Sequence, residues 1–105
     1  MLNQLILVGR LTENPKEIIN NKLIVTLAVQ RNYKNLDGVY ETDFIDVVLW
    51  QGVAENTYEY CKKGDLIGIR GRLETGLVNN QKLLLVVADR VSFLSSRKEK
   101  DNEMC

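Results

Sequence analysis

The chain has 105 residues and is 45% apolar, room and material for one domain with a modest core. Basic and acidic residues balance at 14 each, so any hold on a polyanion must come from local clusters, not from overall charge. Histidine is absent and the two cysteines are Cys61 and Cys105, which excludes a disulfide framework, a paired-cysteine metal site and the commonest general base; no cofactor, no metal and no catalysis are expected.

From Gln4 to Leu11 the chain alternates. Leu5, Leu7 and Leu11 share one parity, while Ile6, Val8 and Arg10 share the other, which predicts a strand with a partly polar second face. Thr12 to Lys16, containing the single proline Pro15, breaks the pattern, and Asn20-Asn21 signals a turn. Lys22 to Arg31 is a second strand with Leu23, Val25, Leu27 and Val29 on one face. A polar stretch to Tyr40 carries the hairpin dipeptide Asp37-Gly38, and Thr42 to Trp50 is a third strand.

From Gly52 to Lys63 the period changes to steps of three and four, through Val53 or Ala54, Thr57 or Tyr58, and Cys61. This predicts a short helix with Lys62 and Lys63 in its last turn and Gly64 as its C-terminal cap. Asp65 to Thr75 is a fourth strand, Asn79-Asn80 turns the chain, and Lys82 to Leu94 is a fifth. The domain is placed at residues 1–95, and the polar, charge-balanced stretch 96–105 is expected to be a disordered tail. The longest apolar run, Leu83 to Ala88, is too short to span a membrane, and no basic stretch leads into a long apolar one at the N-terminus, so a cytoplasmic place is expected.

Strand, strand, strand, helix, strand, strand predicts an all-β OB-fold. This is a five-stranded Greek-key barrel with one short helix between strands 3 and 4, an architecture used for oligonucleotides and oligosaccharides. The third strand is the most informative segment. Ile45, Val47 and Leu49 point one way, into the barrel; Phe44, Asp46, Val48 and Trp50 point outward. Alternation leaves two readings open for Phe44 and Trp50: stacking on bases, or packing under a loop or against a second subunit. On the fourth strand Arg70 and Arg72 share a parity with Glu74, as phosphate contacts or as ordinary solvated charge. With Arg10, Arg31, Tyr33 and Lys34 they outline a groove of aromatics and cations suited to a non-specific single-strand binder.

Several stretches in order resemble the bacterial single-stranded-DNA-binding proteins (the SSB family) over roughly residues 1–94. They are Asn3 through Thr12 with Pro15, Val25 through Val29, Asp43-Phe44 with Val47 through Trp50, Ala54-Glu55-Asn56, Tyr60-Cys61, Lys63-Gly64 and Gly71-Arg72-Leu73. The resemblance implies single-stranded DNA as partner, in replication, recombination, repair or uptake, with Tyr33, Phe44 and Trp50 in place of family aromatics that stack on bases. It implies a homotetramer built as a dimer of dimers, with subunits paired through Asn3, Gln4, Leu5, Ile6, Leu7 and Val8, and a bacterial, nucleoid-associated setting. Two departures stand out. The hairpin after the fourth strand reads as short, with Val78 where the family carries an aromatic, and the acidic tip that recruits replication and recombination proteins has no counterpart at Glu99 to Cys105, as in short, tail-less paralogues. A second reading is a dimeric, primosomal-type module that bridges proteins and binds DNA weakly.

Overall fold

The computed structural model describes residues 1–95, and of Val78 the backbone alone. The tail expected at 96–105 lies outside the described residues. The elements are β1 (Leu5–Leu11), β2 (Lys22–Lys34), β3 (Tyr40–Trp50), α1 (Gln51–Tyr60), β4 (Leu66–Val78) and β5 (Gln81–Ser95). The strands close into a barrel in the order β1-β2-β3-β5-β4, with the helix between β3 and β4 as expected of an OB-fold. Neighbours are antiparallel except β3 and β5, which run parallel and meet at two rungs, Val47 with Val86 and Val48 with Val87.

The predicted inward residues fill the barrel. Leu11, Leu23, Val25, Leu27, Val47, Leu49, Ile67 and Ile69 are buried, and Ala54 and Cys61 join them from the helix and its C-terminal cap. Val48 has outward parity and is nevertheless buried, because it stands beside the buried Val87 in an outer row that runs Ile24, Val48, Val87, Arg72.

Tight turns explain why the strands outrun their sequence boundaries. Asn79 and Asn80 both have positive φ, 51° and 65°, the two-residue hairpin turn whose twist matches the ribbon. Pairing therefore runs to the tip, Val78 against Gln81, and the hairpin read as short is a long arm. Asn20 and Asn21, at 55° and 62°, close the Ile19–Lys22 bridge in the same way.

The helix, in contrast, ends earlier than its periodicity suggests. Tyr60 is its last residue and Cys61 caps it in an extended conformation, so Lys62 and Lys63 lie outside the last turn. Gly64 instead serves a separate turn. The Asp65 amide donates to the Lys62 carbonyl at 3.1 Å, and Gly64 supplies the positive φ, 90°, that the third position of a type II turn needs. Gly9 and Gly71 allow close backbone approach. A Cβ on Gly71 would lie 2.1 Å from the Val87 carbonyl oxygen, and one on Gly9 2.6 Å from that of Ala28.

Candidate nucleic-acid interface

The β2–β3 ribbon fixes an outer face rung by rung. Lys22 lies opposite Trp50, Ile24 opposite Val48, Thr26 opposite Asp46, Ala28 opposite Phe44 and Gln30 opposite Thr42. Directly opposed residues share a face. Phe44 and Trp50 therefore stand on one surface, six residues or about 20 Å apart along the strand. They are 69% and 43% exposed. Between them the floor is Ile24, with Thr26 donating a 2.6 Å hydrogen bond to Asp46. This is a shallow open stripe with a ring at each end.

Cations border the rings. The Lys22 ammonium sits 4.6 Å from the Trp50 ring centroid, a cation–π contact that keeps positive charge at that end. Arg10 pairs with Ala28, so an outer row runs Arg10, Ala28, Phe44. Its guanidinium gives one N–H to the Gly64 carbonyl at 2.9 Å and has no acidic partner among the described residues. At the ribbon end, Tyr33 is exposed and the Lys34 ammonium lies 5.6 Å from the Tyr40 ring. The structure thus gathers Tyr33, Lys34, Phe44 and Trp50 on the β2–β3 ribbon, with Arg10 beside it on β1, and adds Lys22 and Tyr40. Sequence reasoning missed those two. Counting rungs back from the Asp37-Gly38 turn points toward them, although two extra residues in β2, between the Gln30 and Lys34 rungs, blur the count.

Three predicted arginines stand apart. Arg31 follows Val29 in inward parity. It donates to both Asp43 oxygens at 3.1 and 2.9 Å, and to Glu41 at 3.4 Å. The hydrogen bond from Arg31 holds the Asp43 carboxyl below its ordinary range, and the same bond raises the Arg31 pKa. Arg72 is clamped by Glu74 at 2.7 Å and by Asp89, and its pKa is raised first by the Glu74 bond. A cation already paired twice has little left for a phosphate. Arg70 faces outward elsewhere, in a row that runs Ile6, Arg70, Arg90 across β1, β4 and β5.

The N-terminal segment splits by parity. Leu5 and Leu7 lean inward, Leu7 against the core, while Ile6 and Val8 are exposed at 70% and 48%. The Asn3 side chain donates to the Leu73 carbonyl at 2.6 Å and accepts the Leu73 amide at 3.0 Å, continuing the β1–β4 ladder; Gln4 is exposed. β1 meets β2 only at Arg10 and Leu11, so the other edge of Leu5 to Gly9 is unpaired within the barrel. A separate hollow of about 500 Å³ between Tyr60, Leu66, Phe93 and Leu94 contains none of the predicted site residues. Among the described residues no group of three acidic or cysteine side chains could hold a metal, and no helix is long and apolar enough to cross a membrane.

Comparison with known proteins adds independent findings. A sequence profile of the single-strand binding protein family matches residues 2–94. Single-stranded DNA-binding protein B of Bacillus subtilis is 40% identical over 106 residues, covering 92% of this chain and 94% of its own. Single-stranded DNA-binding protein 1 of Clostridium acetobutylicum is 40% identical over 108 residues, covering 93% and 98%. Single-stranded DNA-binding protein 1 of Lactococcus lactis is 43% identical over 107 residues, covering 93% and 71%. Among solved structures, a deletion mutant of the single-stranded DNA binding protein from Thermus aquaticus superposes with a TM-score of 0.73 at 27% identity. The match covers 91% of this chain and 52% of that one, so this chain spans about half its length.

Proposed function

The chain belongs to the single-strand binding protein family, and from that premise we propose that it binds single-stranded DNA, without regard to sequence, along the outer β2–β3 stripe. Members of that family are DNA-binding proteins and not enzymes, so no residue here is assigned to catalysis. The observation that carries the reading is the pair of rings, Phe44 and Trp50, exposed on one outer face with Lys22 at one end and Arg10 near the other. Every base has a π-face, so stacking on two rings is sequence-tolerant, while ammonium and guanidinium groups meet the phosphates between them.

Self-association belongs to the same proposal. The unpaired edge of Leu5 to Gly9, flanked by exposed Ile6 and Val8, is a template for pairing with the same segment of a second copy. Work in replication, recombination or repair, in the bacterial cytoplasm, fits this reading.

The test is quenching of Trp50, the chain's one tryptophan, titrated with poly-dT at low and high salt. Strong quenching that weakens with salt supports stacking and phosphate contact together. Absence of quenching in a folded sample overturns the stripe, and weak binding at every salt concentration favours a protein-bridging module.

A further inference from the structure

An acid stands in the middle of the stripe. On the outer face from the Lys22–Trp50 rung to the Gln30–Thr42 rung, Asp46 is the one acidic side chain. It is exposed and lies between the two rings, two residues from Phe44 and four from Trp50. Its Oδ1 accepts the 2.6 Å bond from the Thr26 hydroxyl on the facing strand. Its Oδ2 accepts no hydrogen bond, and no cation pairs with the carboxylate among the described residues. A free negative charge here repels the phosphates of a bound strand, so it weakens binding unless it meets another part of the nucleotide.

We propose that Asp46 grades the bases. It accepts hydrogen bonds from the amino groups on the edges of cytosine, adenine and guanine, and it disfavours thymine and uracil. The proposal rests on the reading that single-stranded DNA lies along this stripe.

A carboxylate can only accept. Cytosine presents an amino group at N4, adenine at N6 and guanine at N2, where thymine and uracil have a carbonyl oxygen at position 4. In a single strand these edges are free to be read. An N–H given to a carboxylate makes a charge-assisted bond, stronger than a neutral one. The N3–H of thymine or uracil is flanked by two carbonyl oxygens, so its approach sets acceptor against acceptor. The adjacent N1–H and N2 amino group of guanine can meet both carboxylate oxygens together.

The surroundings suit this role. Asp46 lies about 7 Å along β3 from Phe44, so a base on that ring turns its edge toward the carboxylate. The other residues between the rings on this face are Ala28, Ile24, Val48 and Thr26. Three are apolar, and the Thr26 hydroxyl has already given its proton to Asp46. That bond holds one oxygen in place and leaves the other turned to the ligand, which lowers the ordering needed on binding. Stacking still takes every base, and no order of bases is read. The carboxylate alters how tightly a given composition is held.

The test compares labelled oligo-dC and oligo-dU at neutral pH, each of about 6 nucleotides, near the low end of what one such barrel occupies. Their rings are alike, and they differ in the amino group or carbonyl at position 4 and the N3 proton that goes with it. Affinities are read by anisotropy for the full chain, Asp46→Ala and Asp46→Asn. Asp46→Asn keeps an acceptor for the Thr26 hydroxyl and so preserves the side chain's one contact with the fold. The change in the dC-to-dU affinity ratio on mutation cancels the intrinsic difference between the oligonucleotides. That ratio should fall roughly 10-fold in both variants, near the low end for a hydrogen bond to a charged group. The fall should be the same at low and high salt, because a contact to a base edge releases no counterion. An equal gain for both oligonucleotides overturns the proposal and makes Asp46 a simple repeller of the backbone. Unchanged affinities overturn it too, since Asp46 then meets no DNA. Trp50 quenching separates the two readings. Binding that quenches Trp50 with an unchanged ratio sinks this proposal alone, whereas no quenching by either oligonucleotide sinks the stripe and this proposal with it.

Discussion

Phe44→Ala separates binding from folding more cleanly than any other change on the stripe. Phe44 is 69% exposed, so about a third of it touches the protein. For a side chain burying roughly 200 Å² when fully covered, that third is about 60 Å², or about 1.5 kcal/mol as an upper bound at ~25 cal/mol per Å². A domain with several kcal/mol of stability survives that loss. A lost stacking partner weakens binding by about 1–3 kcal/mol, or roughly 5- to 140-fold. Trp50 remains in the variant, so its quenching by oligo-dT reads the affinity without being the group that was changed. The ring carries no charge, so the affinity should fall at every salt concentration while the log–log slope stays the same. Unchanged affinity in a folded variant would refute the stacking role. A changed slope would show that the substitution moved the cations and not only the ring.

Three further outcomes test other parts of the structure. Asp43 is depressed below its ordinary value of 3.8 by the Arg31 hydrogen bond, so the clamp's stabilisation is complete at neutral pH, fades as the pH falls past 3.8 and is lost below the folded value. In Arg31→Gln the Asp43 carboxyl, followed by NMR, should return toward 3.8 while affinity for oligo-dT holds. Burial, reinforced by Asp65, pushes the Cys61 thiol up to about 11, so in a Cys105→Ser background a disulfide reagent at neutral pH should label it only as fast as the chain unfolds. Rapid labelling of the native protein would contradict the packing. Thr57 is fully buried and its hydroxyl has no partner among the described residues, so Thr57→Val should raise stability by about 1–3 kcal/mol, seen as a higher urea midpoint at constant slope.

Parity made much of this legible before the structure. Alternation alone put Val47 and Leu49 inside and Phe44 and Trp50 outside, and a change of period marked the helix. The state of each arginine was less accessible. The partners of Arg31 come from twelve and ten residues away, across a ribbon whose register slips by two, and Asp89 reaches Arg72 through a bulge. Only the Arg72–Glu74 contact, two apart on one face, was visible from spacing. The helix end was misplaced because Cys61 continues the apolar period after the backbone has turned extended. The arm ran past Thr75 because an Asn-Asn turn sustains pairing that side-chain pattern had stopped signalling.

The narrow parallel seam between β3 and β5 has a consequence for how the chain assembles. The ribbons β2–β3 and β4–β5 are each joined by a short turn, so they close small loops and can form early at little entropic expense. The seam joins residues 47 and 86, and β1, which meets β2 only at Arg10 and Leu11, needs β4 for most of its pairing. Non-local closure of this kind comes late and slows folding. Trimming Val86 to alanine should therefore speed unfolding and barely slow refolding, whereas damage to the Asn79-Asn80 turn should slow refolding itself. Two hairpins come first in this order, and the barrel is the last thing they make.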